Sequence, residues 1–385
     1  MRVLIVGGGP AGMTLAWWLA KGGCQVVISE RGEHFKRSGY ILNALGQCLD
    51  IMRGMGMARL LEKERLNLTR TVSLNLDGSI HHERDLSIVT DGTKGLAIHR
   101  ADLQEAMYSI VQQVSGITFR FGTTVNRLQE NDAAVTVDFS DGMQAAFDVV
   151  VGADGTHSHT RRMLFGNAGE QELALTYIGF TVPNLWDLPF TRYELMTAGA
   201  TALVSPTNQR DLIGVLFTRL PSDSISQNPK GTLLNLTRTW GWKFHEMVNA
   251  VPHSDAIFYD TLTQVNIPTW SQGRCVLLGD AAYCMSPLSG RGVDGAVTGA
   301  YILATHLLRT PHDISAAFNA YERQLRPGVE RVQKQAAGRV GMSAPQAEWK
   351  ARITRTMMAR MPRPLMRRMI EREFANKLVP DLSVL

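Results

Sequence analysis

The sequence lacks three features that would each place it in a special class of proteins. It has only four cysteines, and none of them forms a CxxC pair, which favours free thiols in a reducing cytosol over disulfides or a metal site. No uninterrupted apolar stretch approaches the ~20 residues of a membrane-spanning helix. The first residues have neither the basic start nor the long apolar centre of a secretion signal, so we expect a cytoplasmic protein.

The sequence also lacks the patterns that accompany nucleic-acid or metal binding. The formal net charge is +5, but outside the C-terminal tail the charges are close to balanced, and basic residues do not alternate with aromatic ones. His157 and His159 have too few neighbouring ligand residues for a metal pair. We therefore expect neither a nucleic-acid partner nor a bound metal.

Length and composition indicate a globular protein with more than one domain. The chain has 385 residues, of which 44% are hydrophobic and 19% are charged. That composition is ordinary for a soluble enzyme, and the length exceeds what one compact core usually accommodates.

The first 30 residues carry the strongest local pattern. Residues 3–6 are aliphatic without polar alternation, which predicts a strand buried on both faces of a parallel sheet. Gly7, Gly9 and Gly12 follow in GxGxxG spacing, and residues 11–21 have helical periodicity. Residues 25–29 predict a second strand that ends at Glu30. This is the strand, glycine turn, helix, strand and acid of a dinucleotide-binding unit.

Each residue of the pattern has a physical role in that interpretation. Gly7 permits the tight turn, Gly9 lets a pyrophosphate approach the backbone, and Gly12 lets the helix pack closely on the strand. The helix N-terminus then faces the phosphates. Glu30 can accept hydrogen bonds from a ribose 2′-hydroxyl and disfavours a 2′-phosphate, which favours FAD or NAD over NADP. A purely structural glycine turn would leave Glu30 unexplained.

Two later stretches repeat the arrangement of a buried strand followed by an acidic turn. Residues 148–151 predict a strand that leads into Gly152-Ala153-Asp154-Gly155, with Ser158 and Arg161 beyond it. Residues 275–278 predict another strand, followed by a turn at Gly279-Asp280-Ala281-Ala282 and a helix over 293–308. Taken singly, either aspartate could be a helix N-cap. Two such turns downstream of a dinucleotide pattern are a sharper signal.

With these motifs the chain resembles class A flavoprotein monooxygenases of the p-hydroxybenzoate hydroxylase fold. The resemblance spans residues 1 to about 330, and it also includes Arg100 and Leu103 in "LAIHRADLQEAM" and Pro287, Gly290 and Gly292 after the third turn. It implies an α/β protein with a Rossmann-like FAD-binding domain, an inserted and mostly antiparallel β-sheet substrate domain, and a C-terminal helical tail.

The resemblance also implies roles for individual residues. Asp280 would hydrogen-bond the ribityl chain of FAD, and Asp154 would help to hold both FAD and a transient nicotinamide nucleotide. Pro287 and the segment from Gly290 to Gly292 would lie against the flavin ring. An arginine near the cofactor falls on Arg37, with Lys36 as the alternative. The full expected set is Gly7, Gly9, Pro10, Ala11, Gly12, Glu30, Arg31, Arg37, Arg100, Asp154, Gly279, Asp280, Pro287, Gly290, Gly292 and Val293.

The sequence departs from the common family pattern around the third turn. The frequent His after GDAA is Tyr283, and the frequent Asn after GxG is Asp294, whose charge would repel a flavin anion unless the side chain turns away. The version "SGRGVDGAVTGAYILA" is more similar to the branch with tetracycline-inactivating monooxygenases and small antibiotic-pathway hydroxylases.

The remaining segments predict a second sheet and a tail. Residues 71–90 and 173–265 alternate short apolar runs with turn residues, which is typical of antiparallel strands. We expect the FAD-binding domain over 1–70, 96–172 and 266–330, the substrate sheet over 71–95 and 173–265, and C-terminal helices over 331–385. Four aromatic residues could line a substrate cavity, although sheet core is the plainer interpretation for each: Tyr40, Phe180, Tyr193 and Phe217.

Two further segments have competing interpretations. "WGWKFH" at residues 240–245 is half of a flavin-halogenase motif without its Ile-Pro, so helix packing is preferred. The tail alternates methionines with arginines at nearly helical spacing, which would suit a membrane-surface helix. Pro362 and Pro364 interrupt that face, so we expect a docked helix and no stable membrane association.

The resemblance implies an FAD-dependent monooxygenase that consumes NADPH or NADH and O2. It would hydroxylate an aromatic or polyketide-like small molecule of antibiotic or secondary metabolism through a flavin C4a-hydroperoxide. No catalytic side chain is identified; Pro287, Gly290 and Gly292 are the residues expected nearest to the flavin. The alternatives are a flavin oxidase, dehydrogenase or halogenase on the same scaffold, or a non-catalytic FAD-binding protein. A monomer or a dimer is equally compatible with the sequence.

Overall fold

The protein is a mixed α/β structure, as the sequence predicts. This computed structural model describes residues 1–35, 40–85, 95–167, 169–208, 210–375, 377–380 and 382. Its strands form a six-stranded sheet, a seven-stranded sheet and two small sheets. The predicted FAD contact at Arg37, like its alternative Lys36, lies outside the described residues.

The six-stranded sheet is built around the N-terminal strand. Its strands are β1 (Arg2–Val6), β2 (Gln25–Glu30), β7 (Ile117–Phe121), β11 (Val149–Gly152), β17 (Ser271–Gln272) and β18 (Cys275–Leu277). Their order is β17-β18-β11-β1-β2-β7, and all neighbours are parallel except the antiparallel pair β17–β18. Val3, Leu4 and Ile5 are completely buried, which explains why β1 has no polar alternation.

The seven-stranded sheet combines an early hairpin with the long segment between the second and third turns. Its strands are β4 (Arg70–Leu74), β5 (Ile80–Asp85), β12 (Glu170–Pro183), β13 (Thr191–Thr197), β14 (Ala200–Pro206), β15 (Asp211–Thr218) and β16 (Phe258–Val265). Their order is β16-β12-β15-β14-β13-β4-β5, antiparallel except for the parallel pair β13–β4.

Two small sheets complete the strands. One is the hairpin-connected set β8 (Val125–Glu130), β9 (Val135–Phe139) and β10 (Gln144–Phe147). The other pairs β3 (Ile41–Leu45) with β6 (Gly95–His99).

The described helices are short, with two long exceptions near the C-terminus. In chain order they are α1 (Pro10–Lys21), α2 (Gln47–Gly54), α3 (Ala58–Glu64), α4 (Arg100–Val111), α5 (His159–Phe165), α6 (Ser222–Ser226), α7 (Pro229–Thr237), α8 (Phe244–Ala250), α9 (Asp280–Tyr283), α10 (Gly292–Arg309), α11 (Ile314–Ser343), α12 (Glu348–Ala359) and α13 (Arg363–Ala375). The turn predicted at 279–282 is thus one short helix, and the helix predicted from 293 begins at Gly292.

The two faces of the seven-stranded sheet differ because side chains alternate along each strand. Ile178, Phe180 and Leu212 point to one face, where they pack with α7, α8 and the loop before α8. Tyr177 and Ile213 point to the other face, where they lie near Leu288 in the segment after the third turn. The second face is therefore the one that can form a site with the first sheet.

Long-range hydrogen bonds fix α11 to the seven-stranded sheet and to the segment after the third turn. The amide of Gln333 donates to the carbonyls of Val265 (2.8 Å) and Cys284 (3.1 Å), and Gln264 donates to the Gln333 carbonyl (2.8 Å). This helix thereby joins β16 to the segment after the third turn.

All four cysteines are buried free thiols. Within the described ranges, no helix has the length and hydropathy needed to cross a bilayer.

Candidate functional site

The three glycine-and-acid turns lie side by side at one edge of the six-stranded sheet. They follow β1, β11 and β18, which are adjacent parallel strands. The Ala153 amide donates to the Val6 carbonyl, and the Leu278 amide donates to the Gly152 carbonyl, each at 2.8 Å. The carboxyl edge of a parallel sheet is where α/β folds bind ligands.

Close backbone packing explains two of the three glycines of the GxGxxG motif in the first turn. Gly7 has φ +110°, and a Cβ there would clash with the Ala153 carbonyl oxygen. A Cβ on Gly12 would clash with the Gly7 carbonyl oxygen. Gly9 is different, because a Cβ on it would meet no atom within 4 Å. Gly9 therefore borders open space, as expected where a pyrophosphate approaches the backbone.

Helix α1 begins at this open space without a capping side chain. Pro10 occupies its first turn, and the N-cap residue, Gly9, has no side chain that could cap the helix. The amide groups and positive dipole end of the helix are thus directed at the open space. Ala11 contacts the third turn, since a Cβ on Gly279 would lie 3.0 Å from Ala11 Cβ.

Glu30 stabilises the glycine turn directly. Its two carboxylate oxygens accept hydrogen bonds from the amides of Gly8 and Gly32, each at 2.9 Å. A carboxylate has about four acceptor positions, so this arrangement leaves capacity for ribose hydroxyls. The neighbouring Arg31 is exposed.

Gln104 is a contact with the first turn that sequence reasoning missed. Its buried amide donates to the Gly8 carbonyl at 3.3 Å from the first turns of α4. The amide of Arg100, which begins the same helix, donates to the Tyr40 carbonyl at 2.9 Å. The signal in the sequence was the "RADLQ" spacing, which puts residues 100 and 104 one turn apart on one face.

Asp154 is engaged within its own segment. One carboxylate oxygen accepts from Ser158 Oγ (2.5 Å), and the other accepts from the amide (2.9 Å) and Oγ1 (3.0 Å) of Thr160. This carboxylate therefore fixes the start of α5, which is the helix-capping interpretation. Its side chain has less acceptor capacity for a cofactor than the resemblance implied.

Arg161 links the second and third turns. It is completely buried and donates to the carbonyls of Ala281 (2.9 Å) and Thr156 (2.7 Å), and it forms an ion pair with Glu170. The relative positions of the two turns depend on this guanidinium.

Asp280 lines a cavity and has no hydrogen-bond donor among the described residues. Burial raises the pKa of its carboxyl to about 6, although the positive charge of Arg100 opposes the shift. A carboxylate held without a donor in a protected position is suited to accept a ligand hydroxyl.

The segment after the third turn lies at the same cavity. Pro287, Gly290, Gly292 and Val293 all line it, and Gly292 begins the long helix α10 without a capping side chain. A Cβ on Gly292 would meet no atom within 4 Å, so the helix start is open to a ligand. Its dipole favours negative charge there.

Asp294 is turned away from this cavity, which resolves its unfavourable charge. The side chain is buried and paired with Arg291, whose Nε donates to it at 2.7 Å. Burial is the largest cause that raises the pKa of the Cys48 thiol in α2, and the charge of Asp294 is the second. Asp294 therefore lies on the side of α10 that faces α2.

The cavity lies between the two sheets and has a volume of about 290 Å³. One wall consists of Asp280 and the segment from Pro287 to Val293. The other wall is the second face of the seven-stranded sheet, where the side chains are mostly apolar: Tyr177, Leu203, Ile213, Val215, Phe217 and Phe258. Of the four aromatic candidates, Tyr40 and Phe217 line the cavity, whereas Phe180 and Tyr193 pack on the opposite face.

Arg192 is a positive charge in this mostly apolar wall. It lines the cavity, and within the described part of the chain it has no hydrogen bond or ion pair. Burial lowers the pKa of its guanidinium, and Glu194 opposes the shift. Glu194 itself accepts hydrogen bonds from Arg84 (2.5 Å) and Ser73, so its charge is already matched.

A second polar feature lies where Asp260 lines the cavity. Both of its carboxylate oxygens are 3.0 Å from Nε2 of His157, a ring that is about half exposed. The hydrogen bond that His157 donates to Asp260 raises the pKa of His157 above its usual range. The pair therefore connects a cavity carboxylate with the solvent.

The arrangement suits an extended dinucleotide. Two open helix starts, at Gly9 and Gly292, suit a pyrophosphate and an anionic ring, and Asp280 is an available acceptor on the same cavity as Gly292. Among the described residues, no group of three or more His, Cys, Asp or Glu could hold a metal ion.

Comparisons with known proteins agree with this geometry. A family model described as an FAD binding domain matches residues 1–336. A flavin-dependent monooxygenase from an unknown prokaryotic organism is 31% identical over 344 residues, with 87% of each chain covered. Another from Legionella longbeachae is 30% identical over 345 residues, again with 87% of each covered. The solved structure of tetracycline destructase Tet(51) has a similar fold, with a TM-score of 0.83 over 99% of this chain and 98% of that one at 24% identity.

Proposed function

The chain belongs to the FAD-binding-domain family of flavin-dependent monooxygenases, and on that premise we propose that it hydroxylates an acidic aromatic or polyketide-like small molecule with O2 and NADPH or NADH. One atom of O2 enters the substrate and the other leaves as water, with two electrons from one nicotinamide nucleotide. The observation that carries the proposal is the cavity between the two sheets. One of its walls includes the open start of α10 at Gly292, and the other is the mostly apolar face of the seven-stranded sheet.

We assign the cofactor contacts to the three turns. When bound and reduced, FAD supplies the activation of O2 and the transfer of one oxygen atom. The start of α1 and Gly9 would bind the pyrophosphate, Glu30 the adenosine ribose, and Asp280 the ribityl hydroxyls. The start of α10 at Gly292 would stabilise negative charge on the reduced ring.

We assign the division into domains in the same way. Residues 1–70, 96–172 and 266–330 would form the FAD-binding domain, 71–95 and 173–265 the substrate sheet, and 331–385 the C-terminal helices. The strands of the seven-stranded sheet fall within 70–85 and 170–265, which supports this division.

Arg192 supports an acidic substrate. A guanidinium without a partner in a protected cavity is costly, and an enolate, phenolate or carboxylate on the ligand would compensate it. Leu203, Val215 and Phe217 around it would contact the apolar body of the ligand. Tetracycline, after which the Tet(51) destructase is named, would be one such acidic polycycle.

The pair of Asp260 and His157 supplies an exit for the substrate proton. An acidic hydroxyl that enters neutral and ionises in the cavity must pass its proton to the solvent, and Asp260 lies on the cavity while His157 reaches the surface. The apolar wall meanwhile keeps water away from the reacting atoms.

No observation favours the alternative reactions. Trp240 and Trp242 of the partial halogenase motif pack with Phe244 on the face of the sheet opposite the cavity. An oxidase or a non-catalytic flavoprotein remains an outcome of the test below.

The test is a screen of aromatic compounds, in acidic and neutral pairs, for stimulated oxidation of NADPH or NADH by the FAD-loaded protein. The proposal predicts that an acidic member stimulates oxidation, that its neutral methyl ether does so at least about tenfold less, and that the product gains one oxygen. Failure of every compound, or bound FAD that no nicotinamide nucleotide reduces, would contradict it.

A further inference from the structure

The C-terminal helices expose an unusual amount of apolar surface. Half of the twelve exposed large apolar side chains in the described residues fall within residues 342–369: Met342, Trp349, Ile353, Met357, Leu365 and Met369. Isolated apolar side chains on a surface are ordinary, but a concentration of them marks an interaction site.

On α12 these side chains form a stripe along one face. Trp349, Ile353 and Met357 are spaced four residues apart and are 62%, 57% and 53% exposed. The stripe is continuous for two turns and points away from the protein.

The opposite face of α12 attaches it to the seven-stranded sheet. Glu348 accepts hydrogen bonds from Thr197 Oγ1 and the Ala198 amide, each at 3.0 Å, and Arg355 donates to the Met196 carbonyl at 2.9 Å. Ala351 on that face is completely buried. The orientation of the exposed stripe is therefore fixed by the fold.

The charge around the stripe is strongly positive. Residues 344–375 contain eight Lys or Arg and three Glu, an excess as large as the net charge of +5 of the whole chain. Lys350 and Arg352 are exposed on the two sides of the α12 stripe, and Arg368 and Arg372 are exposed beside Leu365 and Met369 on α13.

We propose that α12 and α13 bind reversibly to an anionic lipid surface, with Trp349, Ile353 and Met357 inserted at the headgroup level. A helix with one apolar face, a tryptophan and flanking cations is typical of such binding. A second copy of the chain on the same stripe would bring two sets of positive charges together, which opposes self-association. The proposal does not depend on the reaction.

The prolines do not prevent this arrangement. Pro362 lies between α12 and α13, and Pro364 is in the first turn of α13. Neither proline therefore interrupts the apolar face within a helix. The expectation of no stable membrane association rested on one interrupted helix, whereas the structure has two separate helices.

The test is sedimentation of the full-length protein with vesicles of phosphatidylcholine, with and without phosphatidylglycerol. We expect binding only to the phosphatidylglycerol vesicles, and weakening as salt is added. The triple variant Trp349→Ser, Ile353→Ser, Met357→Ser should bind at least about tenfold more weakly. A matched control, Met143→Ser with Leu185→Ser, removes exposed apolar side chains elsewhere and should bind like the wild type.

Lipid-depth quenching adds a local readout. Brominated lipids in the same vesicles should quench part of the tryptophan fluorescence of the wild type, and Trp349→Phe should remove that part. The proposal is wrong if the wild type does not bind phosphatidylglycerol vesicles at low salt, if the triple variant binds as tightly, or if the stripe instead holds a dimer that the triple variant dissociates.

Discussion

At the scale of single residues, Asp280 has an acceptor group without a donor in a protected place. Its pKa of about 6 makes its charge sensitive to mild acid. The ionised carboxylate is the better acceptor for a ribityl hydroxyl, so we expect FAD affinity to fall as the pH drops through about 6.

The variant Asp280→Ala should therefore weaken FAD binding by about ten- to a hundredfold and remove the pH dependence. Fluorescence titration of the apoprotein with FAD at several pH values measures both effects. Asp260→Ala is the matched control, because it removes another cavity carboxylate on the substrate side, and it should leave FAD affinity nearly unchanged. Equal losses in the two variants would refute the assignment of Asp280.

Variants of Arg192 distinguish a role in substrate binding from a role in stabilising the fold. Because its partly buried charge has no hydrogen bond or ion pair among the described residues, Arg192→Met should leave the free energy of unfolding unchanged or raise it by about 1 kcal/mol. The same change should raise the KM for an acidic substrate at least about tenfold.

The matched control for Arg192 is Arg84→Met. Arg84 is paired with Glu194, so its loss should destabilise the fold instead. Urea unfolding and steady-state kinetics on both variants distinguish the roles. Clear destabilisation by Arg192→Met would mean that the side chain is structural.

At the scale of elements, the glycines of the first turn divide into two kinds. Gly12→Ala brings a Cβ against the Gly7 carbonyl and should destabilise the fold by about 3 kcal/mol or more. Gly9→Ala meets open space at φ −79°, so the apoprotein should keep its stability while FAD affinity falls at least about tenfold. Thermal unfolding and FAD titration of both variants check this. If Gly9→Ala bound FAD normally, the pyrophosphate would lie elsewhere.

The hydrogen bond from His157, in the loop before α5, to Asp260 in β16 predicts a pH effect with a definite sign. The folded pKa of His157 is raised above its ordinary 6.5. The bond therefore contributes stability that is fully present below about pH 6.5 and lost as the pH rises through the folded pKa.

His157→Gln should consequently cost stability in mild acid and little at alkaline pH. The loss should be below about 1 kcal/mol, because the ring is half exposed and solvent screens the pair. Unfolding curves of wild type and variant across this pH range measure it. A difference that grows with rising pH would contradict the sign.

At the scale of the whole molecule, the sequence predicted what depends on short-range pattern. The glycine turn, the buried strands around it and the helix that begins at Gly292 could be predicted from residue spacing and local periodicity. The mixed α/β class follows from these elements. The hydrogen-bond partners of Asp154 and Asp294 did not follow, because only the folded segment provides them.

Residues of the cavity wall were the hardest to predict. Arg192, Asp260 and Tyr177 come from three strands of one sheet, and which face of that sheet meets the cofactor side depends on strand pairing across the chain. For the same reason Phe217 and Tyr193 looked equivalent in the sequence but point to opposite faces.

Oxygen transfer itself is tested by a reaction under 18O2. The FAD-loaded protein is mixed with NADPH or NADH and with an acidic aromatic compound that stimulates oxidation of the nicotinamide nucleotide. The product is then analysed by mass spectrometry. We expect a product heavier by one 18O atom, formed with consumption of one nicotinamide nucleotide. The account would be contradicted by a product without the label. It would also be contradicted if oxidation of the nicotinamide nucleotide yielded only hydrogen peroxide with every stimulating compound, because the cavity would then not support oxygen transfer from the flavin to a substrate.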